Sequence, residues 1–211
     1  MSETIPEATV VIVDDDAAIR DSLANLLAAA GFSISCHESG EALFRSELPE
    51  GPACLLLDLR MPGASGIEVQ HELRTHGWDG PVIFLTGHAE VQTAVRALKS
   101  GAADFIIKSE FEPAELIMRI QDCIDHHTEC LEQKQRRARM QERIGQLTQR
   151  ELEVACLAAA GTTNQVIGVE LGISERTVEI HRGRAMKKLE LRTAANLVRL
   201  HEELIDYSTK H

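Results

Sequence analysis

The chain has 211 residues and a formal net charge of −11, and 44% of its residues are hydrophobic while 26% are charged. This length suits one large domain or two small ones, and the composition is ordinary for a soluble globular protein. No apolar stretch approaches the roughly 20 residues of a membrane helix, and residues 1–10 lack the basic start and apolar core of a signal peptide. We therefore expect a cytoplasmic protein.

The charge is unevenly distributed along the chain. Residues 1–128 hold 8 Lys and Arg against 21 Asp and Glu, giving −13, whereas residues 129–211 hold 14 against 12, giving +2. Residues 174–192 are locally basic, with six basic side chains against three acidic ones. An acidic front part and a locally basic back part indicate different binding partners.

The five cysteines do not form a recognisable site in the sequence. They stand at positions 36, 54, 123, 130 and 156, and no C-x-x-C pair occurs among them. An odd number of unpatterned cysteines indicates free thiols in a reducing compartment. Cys123 and Cys130 are seven residues apart and share a helix face, but this spacing alone does not establish a redox or metal site.

Strand and helix patterns alternate over the first 125 residues. Short apolar runs predict strands at 8–13, 33–37, 53–57, 81–85 and 104–107. Helices are predicted at 16–30, 40–46, 66–75, 89–99 and from 113 onward, with Gly31 ending the first and Pro113 opening the last. Five such repeats predict an α/β fold with a five-stranded, doubly wound parallel sheet covered on both faces.

Charged residues follow three of these apolar runs. Asp14, Asp15 and Asp16 come after the first run, Asp58 after the third and Lys108 after the fifth. The carboxyl ends of parallel strands meet at one edge of the sheet, where ligands bind. Clustered carboxylates repel one another unless a cation joins them, and oxygen ligands suit Mg²⁺. The sequence therefore predicts a Mg²⁺ site beside a lysine that suits a phosphoryl group.

The last third of the chain has only helical patterns. Residues 126–145 are polar and helix-prone, which favours a solvated continuation of the preceding helix over a thinly supported coiled coil. Thr148 and Glu151 form a capping box that opens a helix ending near Gly161. Further helices are predicted at 164–171, from Ser174 to about 189, and at 193–206. Two short helices joined by a glycine turn, the second one basic, describe a helix-turn-helix.

The motifs VIVDDD, LLLDLRMPGASG, VIFLTGH and ADFIIK resemble a two-component receiver domain, and LTQRELEV with GTTNQVIGVELGISERTVEIHRGRAMKKL resembles a LuxR-type helix-turn-helix. Together they resemble response regulators of the NarL/FixJ family, in its FixJ-like branch. The resemblance implies a flavodoxin-like or CheY-like receiver joined by a long helix to a small all-α domain. We place these parts at residues 1–125, 126–145 and 146–211.

The resemblance also implies roles for residues of the receiver. Asp58 would accept the phosphoryl group, and Asp14, Asp15 and Asp58 would hold Mg²⁺ together with the backbone carbonyl of Arg60. Thr86 and Lys108 would contact phosphoryl oxygens. Thr86 and Phe105 would form the switch, whereas Asp16 is expected to cap the first helix.

In the second domain the resemblance assigns DNA contacts to the basic helix. Arginine and lysine there would neutralise phosphates, while Glu179 and Ile180 would meet base edges. Val178, Met186 and Leu189 are expected in the core, and His181 either contacts phosphate or packs between helices. The expected DNA-binding residues are Arg176, Thr177, Glu179, Ile180, His181, Arg182, Arg184 and Lys187.

The sequence departs from the family pattern at two places. The usual proline after the receiver lysine is replaced by Ser109-Glu110, so we expect a trans peptide after Lys108. We also expect Lys108 to lie farther than one hydrogen bond from Asp58, with Glu110 as an alternative partner. In the second domain, Gln165 and Gly168 replace the family's usual lysine and alanine, and glycine inside a helix costs roughly 1 kcal/mol relative to alanine.

These observations predict a DNA-binding transcriptional regulator, not an enzyme, whose Asp58 is phosphorylated by a histidine kinase. Expected partners are double-stranded DNA, the kinase, a second copy of the chain once phosphorylated, and RNA polymerase. Two alternatives remain open at this stage. One is a phosphorylation-independent regulator whose receiver only binds other proteins, and the weaker one is a metal-dependent phosphohydrolase.

Overall fold

The structure, a computed structural model, describes residues 8–87 and 101–210. The chain divides into two compact units, residues 1–132 and 133–211. Within the described ranges no helix is long and apolar enough to cross a bilayer. The predicted helix at 89–99 lies outside the described residues.

The first unit contains a parallel sheet and its covering helices. The strands are β1 Thr9–Val13, β2 Ser33–His37, β3 Ala53–Asp58, β4 Val82–Thr86 and β5 Asp104–Ile107. The helices are α1 Ala17–Ala29, α2 Gly40–Phe44, α3 Gly66–Thr75 and α4 Pro113–Gly145. All four strand pairings are parallel, and the strand order is β2-β1-β3-β4-β5. The predicted fold class is confirmed.

Alternate residues of the central strands face two separate apolar layers. Val10, Cys54 and Leu56 pack with α1 and α4, whereas Val11, Leu55 and Leu57 pack with α2 and α3. Such alternation is dictated by the period of two along a strand. A sheet buried on both faces explains why these strands read as continuous apolar runs in the sequence.

Helix α4 is a single helix of 33 residues that belongs to both units. Leu116, Ile120 and Ile124 are buried in the core of the first unit, and Ile144 is buried in the core of the second. Most side chains between residues 128 and 143 are exposed. The structure thus confirms the predicted solvated continuation of the helix.

The second unit adds five helices within the described residues. They are α5 Gln149–Ala159, α6 Asn164–Leu171, α7 Glu175–Lys188, α8 Ala194–Arg199 and α9 His201–Lys210. The capping box of Thr148 and Glu151 is present, and Gly172 takes a left-handed conformation with φ 67°. This glycine turn joins α6 to α7 as predicted for a helix-turn-helix.

The prediction of one helix over 193–206 is wrong. Leu200 has φ −92° and ψ 9°, and its N–H donates to the carbonyl of Leu197 in a tightened turn. The chain resumes as α9, whose Leu204 N–H donates to the carbonyl of Leu200. Leu197 and Leu204 are both fully buried, so the turn lets each short helix direct a leucine into one core.

An ion pair with a buried carboxylate and a half-buried lysine joins the start of α5 to the end of α7. Glu151 is 3% exposed, and its Oε2 accepts a hydrogen bond from Lys188 Nζ at 2.6 Å. Lys188 Nζ also donates to the carbonyl of Gln146 at 3.0 Å. Burial opposes ionisation of Glu151, but the bonds from Lys188 and Thr148 outweigh it and lower its pKa.

We expect Glu151→Gln to destabilise the second unit by about 1–2 kcal/mol, because it removes a charge-assisted bond. Glutamine still satisfies the capping box. A carboxylate with a lowered pKa adds stability that is complete above its ordinary pKa of about 4.3. That stability is lost as the pH falls through the lower folded value. The difference in the free energy of unfolding between the wild type and the variant should therefore become smaller as the pH falls.

Urea unfolding from about pH 7 down to about pH 3 checks this. Helical circular dichroism reports both units, whereas Trp78, the single tryptophan, reports only the first unit. Glu153→Gln on the same helix is the control, because the Arg150–Glu153 pair is partly exposed and surface pairs contribute about 0–1 kcal/mol. Equal stabilities of the two variants at neutral pH would contradict a stabilising role for the Lys188–Glu151 pair.

Candidate functional site: an acidic pocket and a basic helix

The predicted acidic cluster exists at the carboxyl edge of the sheet. Oxygens of Asp14, Asp15 and Asp58 all lie within 4.8 Å of one another. Asp14 is fully buried and Asp58 is 5% exposed, while Asp15 is exposed. Asp58 ends β3, and Asp14 follows β1, its direct neighbour in the sheet. The parallel pairing therefore brings together residues that are more than 40 positions apart in sequence.

Lys108 bridges two of these carboxylates. Its Nζ lies 2.8 Å from Asp58 Oδ2 and 2.5 Å from Asp14 Oδ2. Burial opposes the charged form of Lys108, but the bonds to both aspartates outweigh burial and raise its pKa. For Asp14 the balance is reversed: burial raises its pKa, and the bonds from Lys108 and the Asp16 N–H offset this only in part.

The expectation that Lys108 lies beyond hydrogen-bonding distance of Asp58 is wrong. The peptide after Lys108 is trans as predicted, and the N–H of Glu110 donates to the carbonyl of Ile107 in a turn. However, the Lys108 N–H itself donates to the carbonyl of Thr86 at 2.7 Å, which continues the pairing of β5 with β4. The sheet therefore fixes Lys108 before the altered loop begins.

Backbone contacts around the cluster hold the aspartates in place. The Arg60 N–H donates to Asp58 Oδ1 at 3.2 Å, and Arg20 Nη1 donates to the carbonyl of Asp14 at 2.6 Å. Asp16 accepts from the N–H groups of residues 18 and 19, which confirms its predicted capping role. The contribution of Arg20 was not predicted, because nothing in its spacing from Asp14 marks a bond to a carbonyl.

Gly66 is a second residue that the sequence did not mark as part of the site. A Cβ on Gly66 would lie 2.4 Å from the carbonyl oxygen of Asp58, so no side chain fits there. Ser65 and Glu68 form a capping box that starts α3 at this point. The glycine therefore lets the start of α3 pack directly against the backbone of Asp58 at the end of β3. This contact helps to position Asp58.

Thr86 and Phe105, the expected switch pair, occupy adjacent strands. Thr86 ends β4 and is 3% exposed, and Phe105 on β5 is half-buried against the apolar layer of Phe84 and Leu57. Thr86 therefore lies at the carboxyl edge of the sheet, and the role of this pair as a switch stays a prediction.

The basic helix α7 divides its side chains between core and solvent. Val178 and Leu189 are fully buried as predicted, and Met186 is half-buried. Ile180 is 47% exposed, so its side chain lies on the outer face of the helix. The expected DNA-binding residues that are exposed are Arg176, Glu179, Ile180, Arg184 and Lys187, and those that are half-buried are Thr177, His181 and Arg182.

Arg182 and His181 lie partly inside the helix pair. Arg182 Nη1 donates to Asn164 Oδ1 at 3.0 Å, so it ties α7 to the first residue of α6. His181 Nδ1 is buried and has no hydrogen-bond partner among the described residues. Its ring therefore packs against the unit on one side, which favours the helix-packing interpretation of this histidine.

The structure explains why a glycine stands at position 168 inside helix α6. A Cβ at this position would lie 2.8 Å from the carbonyl oxygen of Ile173, in the turn between α6 and α7. The Gly168 carbonyl also accepts from the N–H of Ile173 at 2.9 Å. In this chain the glycine thus permits a close approach of backbone segments, and the expected cost relative to alanine does not apply.

Family models match both units. The model described as response regulator receiver domain matches residues 10–121, and the model described as bacterial regulatory proteins, luxR family, matches residues 145–201. The transcriptional regulatory protein FixJ of Azorhizobium caulinodans is 38% identical over 95% of this chain and 93% of its own length. Nodulation protein W of Bradyrhizobium diazoefficiens is 36% identical over 96% of this chain and 89% of its own length.

Solved structures show the same architecture. The response regulator StyR has 38% identity, a TM-score of 0.84, and coverage of 93% of this chain and 99% of its own. Full-length FixJ from B. japonicum has 34% identity, a TM-score of 0.57, and coverage of 93% and 96%. A receiver followed by a LuxR-type helix-turn-helix defines a phosphorylation-controlled transcription regulator. The chain belongs to the NarL/FixJ family of two-component response regulators. None of these matches supports a phosphorylation-independent regulator.

We expect Gly168→Ala to destabilise the second unit by about 1–3 kcal/mol, because the added Cβ meets a backbone oxygen and overpacking costs this much. The matched control is Gly183→Ala in α7, where a Cβ meets nothing within 4 Å. That change should stabilise by about 0.5–1 kcal/mol, the ordinary gain for a helical glycine. Urea unfolding followed by circular dichroism measures both. Stabilisation by Gly168→Ala would show that the turn between α6 and α7 can shift to accommodate the Cβ, and it would contradict the expected clash.

Proposed function

We propose that Asp58 is the residue that accepts the phosphoryl group from a histidine kinase. The observation that carries this proposal is the convergence of Asp14, Asp15, Asp58 and Lys108 at one edge of the sheet. An oxygen of Asp58 would attack phosphorus while the bond to the donor's histidine nitrogen breaks, leaving an acyl phosphate. Lys108 already contacts the attacking carboxylate and would pair with a phosphoryl oxygen.

The acidic cluster fits Mg²⁺. Asp14 Oδ2 is buried and makes no well-aligned hydrogen bond, although Lys108 Nζ lies beside it. The donor set is oxygen only, which matches the preference of Mg²⁺. We propose that Asp14, Asp15, Asp58 and the backbone carbonyl of Arg60 hold the ion, which would offset negative charge on the transferring phosphoryl group. Lys108 would then release Asp14 and remain with the phosphoryl oxygens.

We further propose that Thr86 and Phe105 form the switch. The Thr86 hydroxyl would bond a phosphoryl oxygen, and Phe105 would turn inward as Thr86 moves. The altered surface would favour dimerisation, which raises the effective affinity for paired half-sites on DNA. In this scheme residues 1–125 act as the receiver, 126–145 as a helical joint and 146–211 as the DNA-binding part, with RNA polymerase as the eventual partner at a promoter.

On the DNA side we propose two classes of contact from α7. Exposed Arg176, Arg184 and Lys187 would bind phosphates, and Glu179 with Ile180 would meet base edges. Arg182 would act mainly by holding α7 against Asn164 of α6, beside the half-buried Thr177 and His181. The support is the exposure pattern of a capped helix that follows a glycine turn.

Phosphoryl transfer can be tested with acetyl phosphate and intact-mass spectrometry. We expect the wild type to gain one phosphoryl group only when Mg²⁺ is present, and Asp58→Ala to gain none. Asp14→Ala should also lose labelling, because a buried oxygen of the cluster is removed. Asp16→Ala is the matched control. Because Asp16 only caps α1, this variant should still be labelled at Asp58. Equal labelling of the wild type and Asp58→Ala would refute the assignment.

DNA binding can be tested by titration at several salt concentrations. We expect Arg184→Ala and Lys187→Ala each to weaken binding to all sequences and to reduce the slope of log K against log salt by about 1. Glu179→Ala should change base preference instead. Arg150→Ala on α5 is the control, because Arg150 is paired with Glu153. Unchanged binding in all three α7 variants would remove this helix from the interface.

A further inference from the structure

A histidine and a cysteine meet on the outer side of helix α4. The Nε2 atom of His126 lies 3.8 Å from the Sγ atom of Cys130. The two residues are four positions apart, so their side chains are neighbours on one face of the helix. His126 is exposed and Cys130 is half-buried. The pair therefore lies at the surface of the first unit, where an ion from solution can reach it.

The residues next to this pair face the core instead. His127 is 6% exposed, and its Nδ1 lies 3.2 Å from the backbone nitrogen and 3.0 Å from the carbonyl oxygen of Ala53. Cys123 packs against the apolar layer between the sheet and α4. These contacts hold the helix against the sheet and leave His126 and Cys130 on its outer side.

The separation of the two atoms matches that of two ligands on one zinc ion. Zinc binds cysteine sulfur at about 2.3 Å and histidine nitrogen at about 2.0–2.1 Å, with tetrahedral angles between the ligands. These values place the sulfur and the nitrogen about 3.6 Å apart. The observed separation is 3.8 Å, so small side-chain rotations would let both atoms bind the same ion.

We propose that His126 and Cys130 together bind one Zn²⁺ ion. The Cys130 sulfur and the His126 Nε2 atom each form a bond to the metal, and the thiol proton is released to solvent. Water fills the remaining positions, because the pair lies at the surface. Nitrogen and sulfur ligands suit zinc, whereas the oxygen-only cluster of Asp14, Asp15 and Asp58 suits Mg²⁺.

A bound ion would connect two successive turns of α4 at the end of the first unit. This unit ends at residue 132, and most side chains between 128 and 143 are exposed. Few buried contacts therefore support the helix beyond His127. Because a link between positions four apart spans one helical turn, it opposes the opening of that turn. Zinc would thus stabilise α4 where it leaves the core of the first unit.

Cobalt is the first probe, because Co²⁺ accepts the ligands of zinc and absorbs strongly when a thiolate binds it. The full-length, reduced chain is titrated with Co²⁺ in excess Mg²⁺, which supplies an oxygen-preferring ion to the acidic cluster. We expect a thiolate-to-cobalt charge-transfer band that disappears when Zn²⁺ displaces the cobalt.

Two variants remove one ligand each. His126→Gln and Cys130→Ser should each weaken Co²⁺ binding by more than about tenfold, since loss of even an indirect partner of a ligand costs about 10–100-fold. His71→Gln is the matched control, because His71 is an exposed histidine on helix α3 and should leave binding unchanged. Circular dichroism checks that the variants fold.

Alkylation then locates the ion in the chain. At a Zn²⁺ concentration ten times the dissociation constant, the modification of Cys130 should slow about tenfold, because only the metal-free chain reacts. Fragmentation of tryptic peptide 120–134 separates Cys130 from Cys123. Cys36 is exposed and serves as the internal control, whose rate should not change.

The same measurement on His126→Gln decides whether the histidine is a ligand. Its Cys130 should react at the same rate with and without Zn²⁺. The proposal fails if Zn²⁺ leaves Cys130 of the wild type unprotected, or if His126→Gln keeps the wild-type protection. It also fails if the cobalt band survives in Cys130→Ser, because another cysteine then supplies the thiolate.

Discussion

The whole receiver depends on placing like charges against one another at the edge of a parallel sheet. Asp14 and Asp58 come from neighbouring strands, and their oxygens would repel if no cation lay between them. Lys108 supplies that cation, because β5 ends where its ammonium group reaches both carboxylates. Because the carboxylates repel one another, binding of a metal ion or a phosphoryl group would change the charge that Lys108 balances. The contacts of Lys108 would change with it.

Much of the fold could be predicted from local sequence patterns, because buried strands, helix caps and glycine turns leave direct signatures. The acidic cluster was also predictable, since strand ends in a parallel sheet meet at one edge. The position of Lys108 was not, because it is set by the hydrogen bond from its N–H to the carbonyl of Thr86, a contact between residues distant in sequence. Gly168 and Leu200 were misjudged for a related reason. The conformation of Gly168 depends on its close approach to Ile173, and that of Leu200 depends on packing in the shared core. Neither contact can be predicted from the local sequence pattern.

Polar contacts between helices supplement the apolar core of the second unit. Lys188 links the end of α7 to Glu151 at the start of α5, and Arg182 links α7 to Asn164 at the start of α6. Arg143 at the end of α4 forms an ion pair with Glu190, which follows α7, and its Nη2 lies 2.6 Å from Glu190 Oε2. Together these polar contacts connect α4, α5, α6 and α7 around the shared apolar core.

Helix α7 separates the residues that maintain the fold from those that face outward. Val178, Ala185 and Leu189 are buried and Lys188 is bound to Glu151, whereas Glu179, Ile180, Arg184 and Lys187 are exposed. Substitutions at such exposed positions usually change stability by less than about 0.5 kcal/mol. Selection on the outer face of α7 is therefore nearly independent of selection on the fold, because the two act on different residues of one helix.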